Sequence, residues 1–211
     1  MKILLLLFPF VLAQGLCAQT SQHSYAIAIQ AKSSATNSAF TIAIDKADDR
    51  IKIVYTLKDS VSQEELYKDE RYKALLLKAD TLFSQQERDK AELLKVTDAL
   101  DALTKQYTHY RKDSLVFNTR KNAAYTKLLN EVYLSTPEEL ENKEANRRRI
   151  VLDGTMFRFT LTSNAGSRVV YAHSPSSDSH PLLSRLIDTT LEVYRQKTGN
   201  TFLDKEKTAG Y

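Results

Sequence analysis

The stretch Ile150–His173, IVLDGTMFRFTLTSNAGSRVVYAH, decides the fold class. Apolar and polar residues alternate along its middle section, which is typical of a strand with one buried face. Turn-forming residues stand on both sides of that section, Asp153–Gly154 before it and Ser163–Gly166 after it. The stretch therefore predicts three short antiparallel strands, over residues 150–152, 155–162 and 167–173.

One face of the last two predicted strands carries a candidate ligand site. A loop at Ser163–Gly166 places Arg158 opposite Tyr171 and Met156 opposite His173, which lies near the end of the second of these strands. A guanidinium, a phenol and an imidazole on one face can bind the carboxylate or phosphate of a small anionic ligand. The alternative is a surface cation–π pair between Arg158 and Tyr171, with His173 at a frayed strand end.

Residues 25–57 predict a second set of strands with the same alternation. Their apolar residues fall at every second position and are Tyr25, Ile27, Ile29 and Ala31, then Phe40, Ile42 and Ile44, then Ile51, Ile53, Tyr55 and Leu57. A four-residue loop at Lys46–Asp49 pairs Ile44 with Ile51 and keeps these residues on one side. Because neither meander has enough strands to be stable alone, we predict that the meanders at about 25–57 and 150–173 share one antiparallel sheet of an α+β fold.

The sequence 62–149 between the two meanders predicts a long helical insertion. It contains no glycine and a single proline, and it is rich in Lys, Glu, Ala and Leu. Ser62 and Glu65 have the spacing of a capping box at a helix N-terminus. A three–four spacing predicts a helix–helix seam formed by Leu93, Val96, Leu100, Leu103, Tyr107 and Tyr110. Since one unbroken helix would be about 110 Å long, we expect breaks near 80–84 and 113–114.

Two further helices are predicted towards the C-terminus. A capping box at Thr136–Glu139 begins one of them. Pro181 begins the last helix and Gly199 ends it, and its apolar stripe predicts that it covers the sheet. We therefore assign residues 19–199 to a single α+β domain and residues 200–211 to a C-terminal tail.

The N-terminus has the composition of a secretory signal peptide. Met1–Lys2 is a short basic start, and the apolar run that follows is too short to span a bilayer. Cleavage after Ala18 or Gly15 is expected, so we assign residues 1–18 to the signal peptide and predict a secreted or periplasmic mature chain without a transmembrane segment. The alternative is lipidation of Cys17, which the leucine before that cysteine disfavours.

Composition and motifs argue against several function classes. The formal net charge is only +4 and tryptophan, the strongest residue for stacking on sugars, is absent. No glycine-rich phosphate loop, dinucleotide fingerprint or EF-hand loop occurs in the sequence, and no cofactor is predicted. The segment Lys105–Lys127 holds six basic residues against Asp113 alone. Export argues against nucleic acid, so a solvated helix face is the first interpretation and an acidic partner surface, a lipid headgroup or a cell-wall polymer the alternative.

The loop His173–His180 contains every residue type of a serine-hydrolase triad. Triads, however, are assembled from separate elements together with an oxyanion hole, and the loop has no glycine-framed nucleophile. A metal site made of His173, Asp178 and His180 matches no fixed ligand spacing. The loop therefore predicts no metal, and catalysis by it is the weakest alternative.

These observations together predict an exported, non-enzymatic binding or interaction module for an unknown protein or a small anionic ligand. The first alternative is a periplasmic holdase or assembly factor whose helical arms project from a β core. The strand–helical hairpin–strand order and the basic pI of about 9.0 resemble those of helical-armed periplasmic chaperones, although no sequence motif is shared. The second alternative is a hydrolase that uses the His173–His180 loop.

Overall fold

A computed structural model describes residues 24–33, 38–85, 89–199 and 201–211. This part of the chain forms a six-stranded antiparallel sheet with helices, which confirms the predicted α+β class. The predicted signal peptide lies outside the described residues. None of the helices within the described ranges has the length and apolar character needed to cross a membrane.

The sheet has the strand order β4-β3-β2-β1-β5-β6, and every neighbouring pair is antiparallel. The strands are β1 Tyr25–Ser33, β2 Ala39–Ala47, β3 Arg50–Val61, β4 Thr108–Asn118, β5 Thr155–Ser163 and β6 Gly166–His173. The helices are α1 Gln63–Lys68, α2 Glu70–Ser84, α3 Lys90–Gln106, α4 Ala123–Leu134, α5 Pro137–Glu141, α6 Lys143–Asn146 and α7 Pro181–Thr198. The N-terminal meander and the last hairpin thus meet through the β1–β5 pair in the middle of the sheet.

The β2–β3 hairpin closes through Asp48 and Asp49, a shorter loop than the four residues predicted. Ile44 therefore pairs with Ile53 and not with Ile51. The register differs from the prediction by two residues, and because strand side chains alternate with a period of two, an even shift leaves the same residues on the core face. All the predicted apolar positions of β2 and β3 are buried.

Strand β4 lies inside the predicted helical insertion, so the prediction of helix over 62–149 is wrong for residues 108–118. β4 pairs with β3, with Leu115 opposite Ile53 and Phe117 opposite Ile51. The segment contains Thr, Tyr, Val and Phe, which favour strands, and a neighbouring strand supplies its backbone hydrogen bonds. The expected helix break at 113–114 and the basic helix face therefore do not exist there.

The predicted strand Ile150–Leu152 is also not formed. Both edges of β5 are already paired, one with β1 and the other with β6. Ile150 and Leu152 remain 86% and 84% exposed. Asp153 adopts a positive φ of 51° but Gly154 does not, so the hairpin turn that needs positive φ at both positions is absent.

The core lies between one face of the sheet and helices α4, α5 and α7. Its largest fully buried side chains are Tyr55, Tyr194, Phe157, Phe159, Ile27, Ile29, Ile42, Ile44, Ile51, Ile53, Leu129 and Leu140. Helix α7 begins and ends where the sequence predicts, and Gly199 takes the left-handed conformation at its end (φ 61°). The residues that follow pack onto this core. Phe202 and Leu203 are buried, and Arg195 donates to the carbonyl groups of Leu203 (2.8 Å) and Tyr211 (2.5 Å).

Two of the predicted helix starts have different outcomes. At Thr136 the capping box is formed: its side chain accepts from the Glu139 amide, and the Glu139 carboxylate accepts from the Thr136 amide. At Ser62 the capping box is absent, because the serine hydroxyl lies 2.7 Å from His109 Nε2 on β4. A tertiary contact has replaced the local one.

Candidate functional site

The predicted ligand residues lie on the face of the sheet opposite the helices, which we call the outer face. Arg158 pairs with Tyr171, and Met156 pairs with His173, as the sequence predicts. Arg158 is exposed and Tyr171 is 54% exposed. Within the described residues Arg158 has neither an ion pair nor a cation–π contact, so the alternative of a cation–π pair with Tyr171 is not formed.

His173 is held at the end of β6 by its neighbours. A Cβ atom added to Gly154 would lie 2.7 Å from His173 Nε2 and 2.2 Å from Ser174 Oγ, so the absence of a side chain at Gly154 is what lets the imidazole lie there. The carbonyl group of His173 accepts from Arg149 Nη1 (2.5 Å). Arg158 and Tyr171 are thus the more accessible members of the predicted set, and ligand binding by all three stays a prediction.

The loop before α7 contains a chain of hydrogen bonds between Ser176, Ser179 and His180. The Ser176 and Ser179 hydroxyls are 2.9 Å apart, and Ser179 Oγ lies 3.0 Å from His180 Nδ1. One atom of the Asn146 side-chain amide lies 3.3 Å from His180 Nε2 and also faces three backbone carbonyl oxygens. Because those oxygens can only accept hydrogen bonds, this atom is the nitrogen of the NH₂ group, and Nε2 accepts from it. Nδ1 then carries the proton and donates to Ser179.

That proton position limits what the Ser179–His180 pair can do chemically. A general base must accept the proton of the serine, whereas here the imidazole donates to it. Burial, helped by the charge of Arg149, lowers the pKa of His180 and keeps the ring neutral. Asp178 is exposed, and within the described residues its carboxylate accepts a hydrogen bond from Ser177 alone (3.4 Å). The network also fixes the start of α7, since the His180 amide donates to Ser176 and the Ser184 amide donates to His180.

Helices α2 and α3, which we call the arm, form a hairpin between β3 and β4. Its base is fixed by Asp69, whose carboxylate accepts from Arg71 Nη2 and the Tyr107 hydroxyl, both at 2.7 Å. The hydrogen bonds from these two donors hold the pKa of Asp69 well below its usual range, and the bond from Arg71 has the larger effect. The Ser62 amide donates to the Tyr107 carbonyl at 2.9 Å, where the chain leaves and re-enters the sheet. Hydrogen bonds therefore link the start of α2 to the end of α3 at the base of the arm.

The arm has an apolar cluster of its own, separate from the main core. Its buried members are Ala79, Leu82 and Val96, with Leu75, Leu93 and Leu100 packed around them. The predicted seam is confirmed at Leu93, Val96 and Leu100 and is wrong at Tyr107 and Tyr110, which lie beyond the end of α3. The expected break at 80–84 occurs slightly later, between the end of α2 and the start of α3.

Each helix of the arm leaves one leucine in solvent. Leu77 of α2 is 70% exposed and Leu94 of α3 is 62% exposed, while Tyr67 of α1 is 54% exposed. The seam pattern did not reveal these residues, because it selects buried positions. A signal was present, however, in the run Leu75–Leu77: consecutive helical residues do not share a face, so a two-helix hairpin cannot bury all three.

Neither metal-ligand geometry nor similarity to known proteins indicates a function for the described part of the chain. Across the described ranges no group of three or more His, Cys, Asp or Glu side chains is placed to hold a metal ion. Comparisons with protein-family models, with curated proteins and with solved structures found no match.

Proposed function

We propose that this protein is a non-enzymatic interaction module that binds other proteins through the arm. The observation that carries the proposal is the pair Leu77 and Leu94, which are exposed on an element whose own apolar cluster is separate from the core. This arrangement supports the holdase or assembly-factor form of the interaction module. A hydrolase is supported less well, since the Ser179–His180 pair lacks an activated nucleophile.

The exposed leucine side chains of the arm offer apolar surface that a protein client can bury. Fully burying a leucine side chain contributes about 1.5–3 kcal/mol, and a few such anchors dominate the binding energy of most interfaces. Leu77 and Leu94 already have most of their surface in water, so a client can cover them without unfolding the arm. The fixed base at Asp69 holds the arm ready for contact, which lowers the entropy that binding must remove.

Suppression of aggregation tests the proposal. We expect the wild-type protein to reduce the light scattering of a chemically denatured model protein after dilution, and the double variant Leu77→Asp/Leu94→Asp to lose this effect. Because both leucines are exposed, the double substitution should change stability by less than about 1 kcal/mol, which circular dichroism can confirm. Thr97→Asp, at another exposed position of α3, is the matched control. Equal suppression by the wild type and the double variant would refute the role of the arm.

Export is the second part of the proposal, and it rests on the sequence of the N-terminus. Intact-mass spectrometry of protein from the producing cell should find a mature chain that begins at Leu16 or Gln19, without lipid. A diacylated Cys17 would instead mean that the protein is anchored to a membrane.

A further inference from the structure

The outer face of the sheet is strongly basic although the whole chain carries a formal charge of only +4. The strand register assigns each residue to a face, because paired residues in an antiparallel sheet point the same way. The basic residues on the outer face are Lys32, Arg50, Lys52, Lys58, Lys112 and Arg158. The only acidic residue among the paired positions of this face is Asp45, which lies opposite Lys52.

The centre of the outer face is a floor of small side chains. It is formed by Ala26, Ala28, Thr41, Ala43, Val54, Thr56 and Thr160. Thr41 and Ala43 are exposed, and α4, α5 and α7 all lie on the opposite face. Six strands and about nine residues per strand give this face an area on the order of 700 Å². That is close to the roughly 800 Å² that each partner contributes to a standard protein interface.

The cations lie on both sides of this floor. One row across the sheet runs from Arg158 through Gln30, Thr41 and Thr56 to Lys112. Arg158 and Lys112 are four strands apart, which is about 19 Å at the usual strand spacing. Within the described residues neither of them takes part in an ion pair. The arm stands at one end of the floor, where Asp101 of α3 lies 3.7 Å from Lys32.

We infer that the outer face docks an acidic amphipathic helix of a partner protein, a site that goes beyond the proposed function of the arm. A helix is about 10–12 Å wide with its side chains, so it fits between Arg158 and Lys112. Small apolar residues of the helix meet the floor, and carboxylates on its two flanks meet the two cations. This arrangement matches both the shape and the charge of the surface.

Two other occupants fit the surface less well. A second copy of this chain would place two basic faces against each other, which like-charge repulsion disfavours. Single-stranded nucleic acid is held by aromatic side chains on which successive bases stack. Among the paired positions of the outer face, the aromatic residues Tyr110 and Tyr171 lie on the two opposite edge strands. They are five strand spacings apart, about 24 Å, so they cannot stack on successive bases.

The probe for this site is a synthetic helix-stabilised peptide with an alanine–leucine stripe flanked by glutamates. We expect it to bind the full-length mature chain at low salt, as measured by fluorescence anisotropy, and to bind less tightly as salt rises. Loss of one exposed ion pair and its replacement by repulsion should weaken binding about five-fold for Arg158→Glu or Lys112→Glu, and about twenty-five-fold for both together. Lys127→Glu on α4 makes the same charge change on the helix side of the sheet and should stay within about two-fold of the wild type.

Several outcomes overturn the assignment. Absence of binding at low salt, equal weakening by Lys127→Glu, or equal affinity for a peptide with lysines in place of the glutamates would each do so. Tighter binding of a single-stranded oligonucleotide or of anionic vesicles than of the acidic peptide would show that the occupant is not a protein helix. The arm variant Leu77→Asp/Leu94→Asp should bind the peptide normally, so failure of this site and failure of the arm can be told apart.

Discussion

The Thr190 hydroxyl connects α4 and α7 inside the core, and its removal should destabilise the protein in a way that a second substitution corrects. Thr190 is fully buried, and its Oγ1 donates to the Leu186 carbonyl at 2.6 Å. Its 2.8 Å contact with the Tyr125 hydroxyl must therefore run from the tyrosine to the threonine. Tyr125 is itself only 5% exposed. Thr190→Val keeps the shape of the side chain but leaves a buried tyrosine hydroxyl without an acceptor.

The magnitudes follow from which group each substitution leaves unpaired. A buried donor without a partner costs about 1–3 kcal/mol, so Thr190→Val should lower the free energy of unfolding by about 2 kcal/mol. Tyr125→Phe removes the donor, while Thr190 keeps its bond to Leu186, and about 1 kcal/mol is the expected loss. The double variant has no unpaired hydroxyl and should lose clearly less than the sum of the two. Helix propensity contributes little, since threonine and valine rank together.

Urea unfolding followed by circular dichroism measures all four proteins under one condition. We expect the coupling free energy of this double-mutant cycle to be at least about 1 kcal/mol. The adjacent bond from the Tyr55 hydroxyl to the Thr190 carbonyl, at 2.9 Å, involves the backbone and is present in all four. Additive losses would show that Tyr125 finds another partner when the threonine hydroxyl is removed, and that the proposed direction of the hydrogen bond is wrong.

Three further predictions test the tail, the loop before α7 and the arm. Burial, with the charge of Asp188, raises the pKa of Tyr211 from 10.0 to about 12. The contribution of the protonated Tyr211 hydroxyl to stability should therefore be complete below pH 10 and disappear as the pH rises towards 12. Urea unfolding should show a smaller loss of stability at alkaline pH for Tyr211→Phe than for the wild type. Burial lowers the pKa of His180 from 6.5, so the folded protein favours the neutral imidazole. The free energy of unfolding should therefore fall as the pH drops below 6.5. In the same assay this fall should be less steep for His180→Gln than for the wild type. Val96 is 3% exposed within the arm cluster. Since a buried carboxylate costs several kcal/mol, Val96→Asp should abolish the hydrogen-exchange protection of α2 and α3. Equal loss of protection in β1 and β5 would show that the arm does not unfold separately from the sheet.

Local pattern was sufficient where each element is determined by its own neighbours in sequence. The β5–β6 hairpin joins two adjacent strands by a short turn, so counting residues from the turn gave the correct pairing of Arg158 with Tyr171. The capping box at Thr136 and the glycine stop at Gly199 are equally local. In the β2–β3 hairpin, counting placed every side chain on the correct face but missed the length of the turn.

Pairing between strands that are far apart in the sequence could not be predicted by counting residues in this way. Residues 108–118 contain charged as well as strand-forming residues, and only the free edge of β3 decides for a strand. Ile150–Leu152 has the opposite problem, because its composition favours a strand but both edges of β5 are occupied. The basic outer face depends on the pairing of Gln30 with Arg158, between β1 and β5, which no local count provides. The small net charge of the whole chain therefore did not indicate that the outer face is basic.

The hydrogen bond between the Ser62 amide and the Tyr107 carbonyl marks a point where the two ends of a long excursion almost touch. The entropy lost on joining the ends of a loop grows only slowly with its length. The β3–β4 ladder fixes the base of the excursion, and among the described residues the main core includes no side chain from α1, α2 or α3. The sheet therefore places little restriction on how far the hairpin extends, so a lineage can lengthen, shorten or exchange it while the fold beneath stays the same.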